Sequence, residues 1–89
     1  MTQVRISPEV LIHEEDGDAF LLHPGTGRYF GLNRTGVVIW RALEAGTDPI
    51  TAIAARWPDV PDDVRRRDVD ALVRALLEAG LVTDPASAD

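Results

Sequence analysis

No cysteine occurs in the 89 residues of this chain. Disulfides, thiolate zinc sites and cysteine nucleophiles are excluded, and the redox compartment stays open. Histidine is scarce as well: only His13 and His23 are present, with no third ligand pattern beside them. Serine is confined to Ser7 and Ser87, so the helix-start serine of a carrier protein is missing. No apolar run exceeds four residues, too short to cross a bilayer. Met1-Thr2-Gln3-Val4-Arg5 lacks the apolar stretch of a signal peptide. The expectation is a cytoplasmic protein that does not engage a membrane. Positive charge is also in deficit, with nine Lys+Arg against 15 Asp+Glu and a net charge of −6. Duplex binding needs cations facing phosphates. The one basic cluster, Arg65-Arg66-Arg67, sits among Asp62, Asp63, Asp68 and Asp70, so nucleic acid is an unexpected partner.

What is present suffices for one small domain, with an apolar fraction of 45%. No internal repeat or linker divides it. The domain is expected to span residues 1–82, with residues 83–89, small and polar, as a frayed tail. Val10-Leu11-Ile12-His13 is strand-prone and is followed by the hairpin signal Asp16-Gly17. Ala19-Phe20-Leu21-Leu22-His23 reads as a second strand, Pro24-Gly25-Thr26-Gly27 as a turn and Arg28 to Leu32 as a third strand. Alternation puts Phe30 and Leu32 on one face, Tyr29 and Gly31 on the other.

The hydrophobic period then changes to that of helices. Asn33 caps a stripe of Gly36, Ile39, Trp40 and Leu43, and Gly46 ends it. Asp48 and Pro49 open a second helix carrying Ile50, Ile53, Ala54 and Trp57, stopped by Pro58. A third helix runs from about Asp62 to Ala79, with Val69, Leu72, Val73, Leu76 and Leu77 on a wide apolar arc. Gly80 ends it, and Leu81-Val82 folds back on its last turn. The fold class is α+β, a winged helix-turn-helix-like arrangement of a three-stranded antiparallel sheet followed by three helices.

The stretch Tyr29-Phe30-Gly31-Leu32-Asn33-Arg34-Thr35-Gly36, followed by Ile39-Trp40 and Leu43, resembles the PqqD family. So does the closing pattern Asp68-Val69, Leu72, Leu76 and Gly80-Leu81-Val82. The likeness covers most of the chain, from Val10 to Val82. It implies a recognition element for ribosomally made, modified peptides. The precursor's leader segment would add as a strand to the third strand of the sheet, in the groove beside the third helix. The hairpin His23-Pro24-Gly25-Thr26-Gly27 and the Gly31-to-Gly36 junction are most similar to stand-alone members of lasso-peptide clusters. There the partners would be the leader and a leader-cleaving protease or other maturation enzyme. Other members serve a radical enzyme in quinone cofactor synthesis.

The residues support that mode independently, because the third strand is an edge, and an edge invites another strand. The same edge is a route to dimers. Arg28, Tyr29, Phe30, Gly31 and Leu32 are the expected docking strand. Phe30 and Leu32 are core first and contacts second; Tyr29 is the better contact. On the third helix, Val69, Leu72, Val73 and Leu76 are core whose margin lines the groove, with Arg65, Arg66 and Asp68 as candidate clamps for leader charges, though each is an ordinary solvated charge first. No catalytic or metal-binding constellation is expected. Asp16 and Asp18 flank a glycine but lack the remaining ligands of a calcium loop, and no cofactor is implied. A peptide-binding adaptor without catalysis is the leading reading. A winged-helix transcription regulator, with Arg65–Arg67 toward DNA, is the alternative.

Overall fold

Strict alternation in the first third of the chain builds an antiparallel meander. A computed structural model describes residues 4–83. In it β2 (Leu11–Glu15), β3 (Asp18–His23) and β4 (Arg28–Leu32) pair in that order, with β2 and β4 at the edges. Asp16 and Gly17 take φ of 56° and 87°, which suits the tight turn whose twist matches the strands. The register sets Leu21 opposite Phe30 and Ala19 opposite Leu32 on the inner face. It sets Leu22 opposite both Leu11 and Tyr29 on the outer face.

Three helices follow: α1 (Arg34–Ala45), α2 (Pro49–Arg56) and α3 (Asp62–Glu78). The Asn33 side chain accepts from the Gly36 N–H at 2.9 Å and starts α1. Asp48 caps α2 through Ile50, with Pro49 in the first turn. Pro61 precedes α3 and offers no side-chain cap. Asp62 and Asp63 instead place negative charge against the helix N-terminus. A hydrogen bond from Arg66 holds the Asp62 carboxyl below the usual aspartate range. That contribution is complete above the unfolded aspartate pKa and is lost as pH falls through the lower, folded one.

The end of α3 contains the main difference from expectation. Gly80 turns at φ +76°. Leu81 N–H then donates to the Leu76 carbonyl and Gly80 N–H to the Leu77 carbonyl, at 3.0 and 3.1 Å, the paired bonds of a Schellman ending. The fold-back continues into β5 (Val82–Thr83), which pairs antiparallel with β1 (Arg5–Ile6). This second, two-stranded sheet was not read from the sequence, because two-residue strands leave no periodicity to detect. Thr83, expected in the tail, is opposite Arg5; residues 84–89 of that tail lie outside the described residues.

The core has two parts. Ala19, Leu21, Leu32, Trp40, Leu76, Leu81 and Val82 form the larger, between sheet and helices. Ile39, Ile53 and Val69 form the smaller, among the helices. Trp57 is half-buried against the second, with the Arg56 guanidinium 5.6 Å from its ring centre. Because Leu76 has no solvent exposure, Leu76→Ala is expected to cost about 2–5 kcal/mol of unfolding free energy. Urea denaturation followed by circular dichroism checks it; a loss below about 1 kcal/mol would place Leu76 outside the core.

Candidate peptide-binding groove

The two sheet edges differ in what they offer. On β2, Glu14 pairs with Arg41 of α1 at 2.7 Å and His13 lies 3.7 Å from Glu15; such charged edges discourage strand pairing. Edge β4 carries Tyr29, Phe30, Gly31 and Leu32 instead. Beside its end is a groove of about 500 Å³, within the range of pockets that hold small ligands, about 300–1,000 Å³. Its walls come from three elements: Gly31 and Leu32 of β4, Asn33 with Thr35, Gly36 and Ile39 of α1, and Asp68, Ala71, Leu72 and Ala75 of α3.

Each expected site residue has a definite place. Arg28 is exposed, and its Nη1 donates to the Glu78 carbonyl at 3.3 Å, tying the start of β4 to the end of α3. Tyr29 is 74% exposed on the outer face. A strand added to β4 would set alternate side chains next to it there. Phe30 is half-buried against the core and Leu32 is buried, forming groove floor and core together. Gly31 presents only backbone to the groove; a Cβ there would point to the Phe20 ring at 3.7 Å, on the outer face. Asp68 and Leu72 line the groove.

The remaining expected contacts lie elsewhere, and this corrects the sequence reading. Leu76 is wholly buried and reaches no groove surface. Val69 and Val73 pack in the second core. Together with Arg66 they line a different cavity, of about 900 Å³, between α3 and the α1–α2 connection. Arg65 donates to the Val60 carbonyl at 2.7 Å and Arg66 to Asp62 at 2.7 Å. Both guanidiniums are thus engaged at the start of α3. The helical arc was wide because α3 packs on two sides; its flanks belong to two different hollows.

The residues that sequence reasoning missed are mostly small. Ala71 and Ala75, one turn apart on α3, flank Leu72 and leave room at the groove wall. Large apolar positions carry the periodic signal of a sequence, whereas an open groove needs short side chains. Gly36 is needed for a related reason: a Cβ there would stand 3.1 Å from Leu32 Cδ2, crowding the floor.

The histidines do not form a relay. Ser7 Oγ and Glu9 Oε2 both approach His23 Nε2, at 3.3 and 3.4 Å, and Nδ1 has no partner. A serine–histidine–carboxylate relay requires the carboxylate on the opposite ring nitrogen from the serine. Among the described residues no group of three or more His, Cys, Asp or Glu could hold a metal ion.

A family model for coenzyme PQQ synthesis protein D (PqqD) matches residues 10–82. The chain belongs to the PqqD family. Two solved structures of similar proteins are complexes. One is TbiB1 in complex with the TbiA(beta) leader peptide, 35% identical, with a TM-score of 0.80 over 96% of this chain and 99% of that one. The other is lasso peptide synthetase B1 complexed with the leader peptide, 29% identical, with a TM-score of 0.77 over 90% of this chain and 96% of that one. No curated protein matches the chain. For this PqqD family member, the exposure of Tyr29 sets a clear expectation: Tyr29→Ala should leave the melting temperature within about 4 °C, as for a surface change of under about 0.5 kcal/mol. A thermal scan showing a drop of more than about 8 °C, over about 1 kcal/mol, would mean that Tyr29 supports the sheet.

Proposed function

We propose that this chain is an adaptor that binds the leader segment of a ribosomally made precursor peptide and presents it to a leader-cleaving protease or another maturation enzyme. Lasso-peptide maturation is the favoured pathway, and the protein acts in the cytoplasm by binding, with no chemistry of its own. The observation that carries this reading is the unpaired β4 edge directly beside a groove walled by α1 and α3. Both similar solved proteins hold a leader peptide, and the second, a lasso peptide synthetase B1, supports the lasso pathway over quinone cofactor synthesis. No helix among the described residues is long and apolar enough to cross a membrane.

The energetics say what such binding requires. A five-residue edge turns alternate residues outward and supports a few backbone hydrogen bonds, each contributing about 0.5–1.5 kcal/mol net. Association costs about 4–15 kcal/mol in lost freedom. The backbone alone therefore cannot give a stable complex. Alternate leader side chains, about 7 Å apart along one strand face, must fill the groove over Leu32, Leu72, Ala71 and Ala75. Each large one buried there contributes about 1.5–3 kcal/mol.

Calorimetric titration with the TbiA(beta) leader peptide tests the proposal. Saturable binding with a micromolar or lower Kd, about −8 kcal/mol or better, is expected, with no binding of duplex DNA. N-methylation of the peptide, one residue at a time, should weaken binding at every second position, where an N–H faces β4. Losses without that alternation would rule out strand addition. A quinone-pathway leader bound in preference to the TbiA(beta) one would move the adaptor to the radical-enzyme branch.

A further inference from the structure

The groove contains one charged side chain, Asp68. Its neighbours show why that charge is free. On α3, Asp62 pairs with Arg66 and Asp70 with Arg74, each four residues on, at 2.7 and 3.2 Å. The residue four beyond Asp68 is Leu72, an apolar groove wall. Three before it stands Arg65, already engaged by the Val60 carbonyl and Asp62. Arg34, at the start of α1, lies along the β2–β3 turn, where its Nε would be 2.9 Å from a Cβ placed on Gly17. Among the described residues, Asp68 forms no ion pair within 4.0 Å, although it is exposed and borders an apolar hollow.

Its position along the groove follows from the contacts of β4. Arg28 meets Glu78 at one end, so β4 and α3 run in opposite directions, and Asp68 stands at the other end, where β4 passes into α1. The N-terminus of α1 contributes about half a positive charge there, already met in part by the Asn33 cap. The full carboxylate charge of Asp68 therefore sets the sign of this end.

We propose that Asp68 is a specificity residue that selects a peptide carrying lysine or arginine over the α1 end of the groove. This rests on the reading of the groove as a peptide site. The peptide's cation would replace the i+4 arginine that the helix lacks, forming one charge-assisted hydrogen bond at the rim.

The test uses the TbiA(beta) leader peptide, with each position replaced in turn by lysine and by glutamate, titrated into the full chain and into Asp68→Asn and Asp68→Lys. At one position lysine should tighten binding and glutamate weaken it, each by about fivefold, the effect of one partly exposed ion pair. Asp68→Asn should abolish both effects, Asp68→Lys should reverse them, and high salt should shrink them. Melting temperatures equal to the parent's would show that the variants fold. A purely structural Asp68 would not reverse a peptide charge preference. Binding of every peptide with no charge effect tied to residue 68 overturns the inference and leaves the groove reading standing. Failure of the parent peptide to bind overturns the groove reading, and the inference with it.

Discussion

The burial of Leu76, Leu81 and Val82 against Leu21, Leu32 and Trp40 is the constraint on which the rest of the structure depends. It joins α3 and β5 to the sheet in one core. The Schellman turn at Gly80 makes it possible, because only a sharp reversal returns Leu81 and Val82 to the core within two residues. Once there, Val82 and Thr83 lie beside Arg5 and Ile6 and close a second sheet. A domain this small has little other apolar area to bury, so a loss at this junction has no reserve elsewhere.

The groove is a consequence of the same packing. Leu76 and Leu32 hold α3 close to the sheet at one level. Beside Leu72, Ala71 and Ala75 are too short to fill the gap between α3, β4 and the first turn of α1. The hollow lies beside an edge whose backbone groups have no strand partner. The opposite edge is occupied by charges, one of them tied to α1. Edge β4 thus combines two independent features: it is the less protected edge, and a groove lies beside it.

Electrostatics add direction to an otherwise apolar site. On α3 the pairs Asp62–Arg66 and Asp70–Arg74 neutralise each other four residues apart, whereas Asp68 has Leu72 at that spacing. The helix thereby exchanges one surface ion pair, worth little to stability, for a free carboxylate at the groove rim. The outer face of the sheet, with Leu11, Phe20, Leu22 and Tyr29 exposed, remains apolar beside that site.

Much of this was legible in the chain itself. Alternation, the Asp16-Gly17 turn, the caps Asn33 and Asp48, and Gly46 and Gly80 as stops place the three main strands and three helices, because these signals act over a few residues. The edge position of β4 was legible too, since it follows from the order of a meander. The face of α3 was not. Val69, Leu72, Val73 and Leu76 share one arc on a helical wheel, but which of them meets core, groove or the other cavity depends on how α3 is seated between two cores. Ala71, Ala75 and Gly36 become meaningful only as the space they leave, and β1 and β5 only as partners of each other. Local spacing determined the elements, whereas the groove was decided by long-range packing, because a cavity is a relation among residues far apart in sequence.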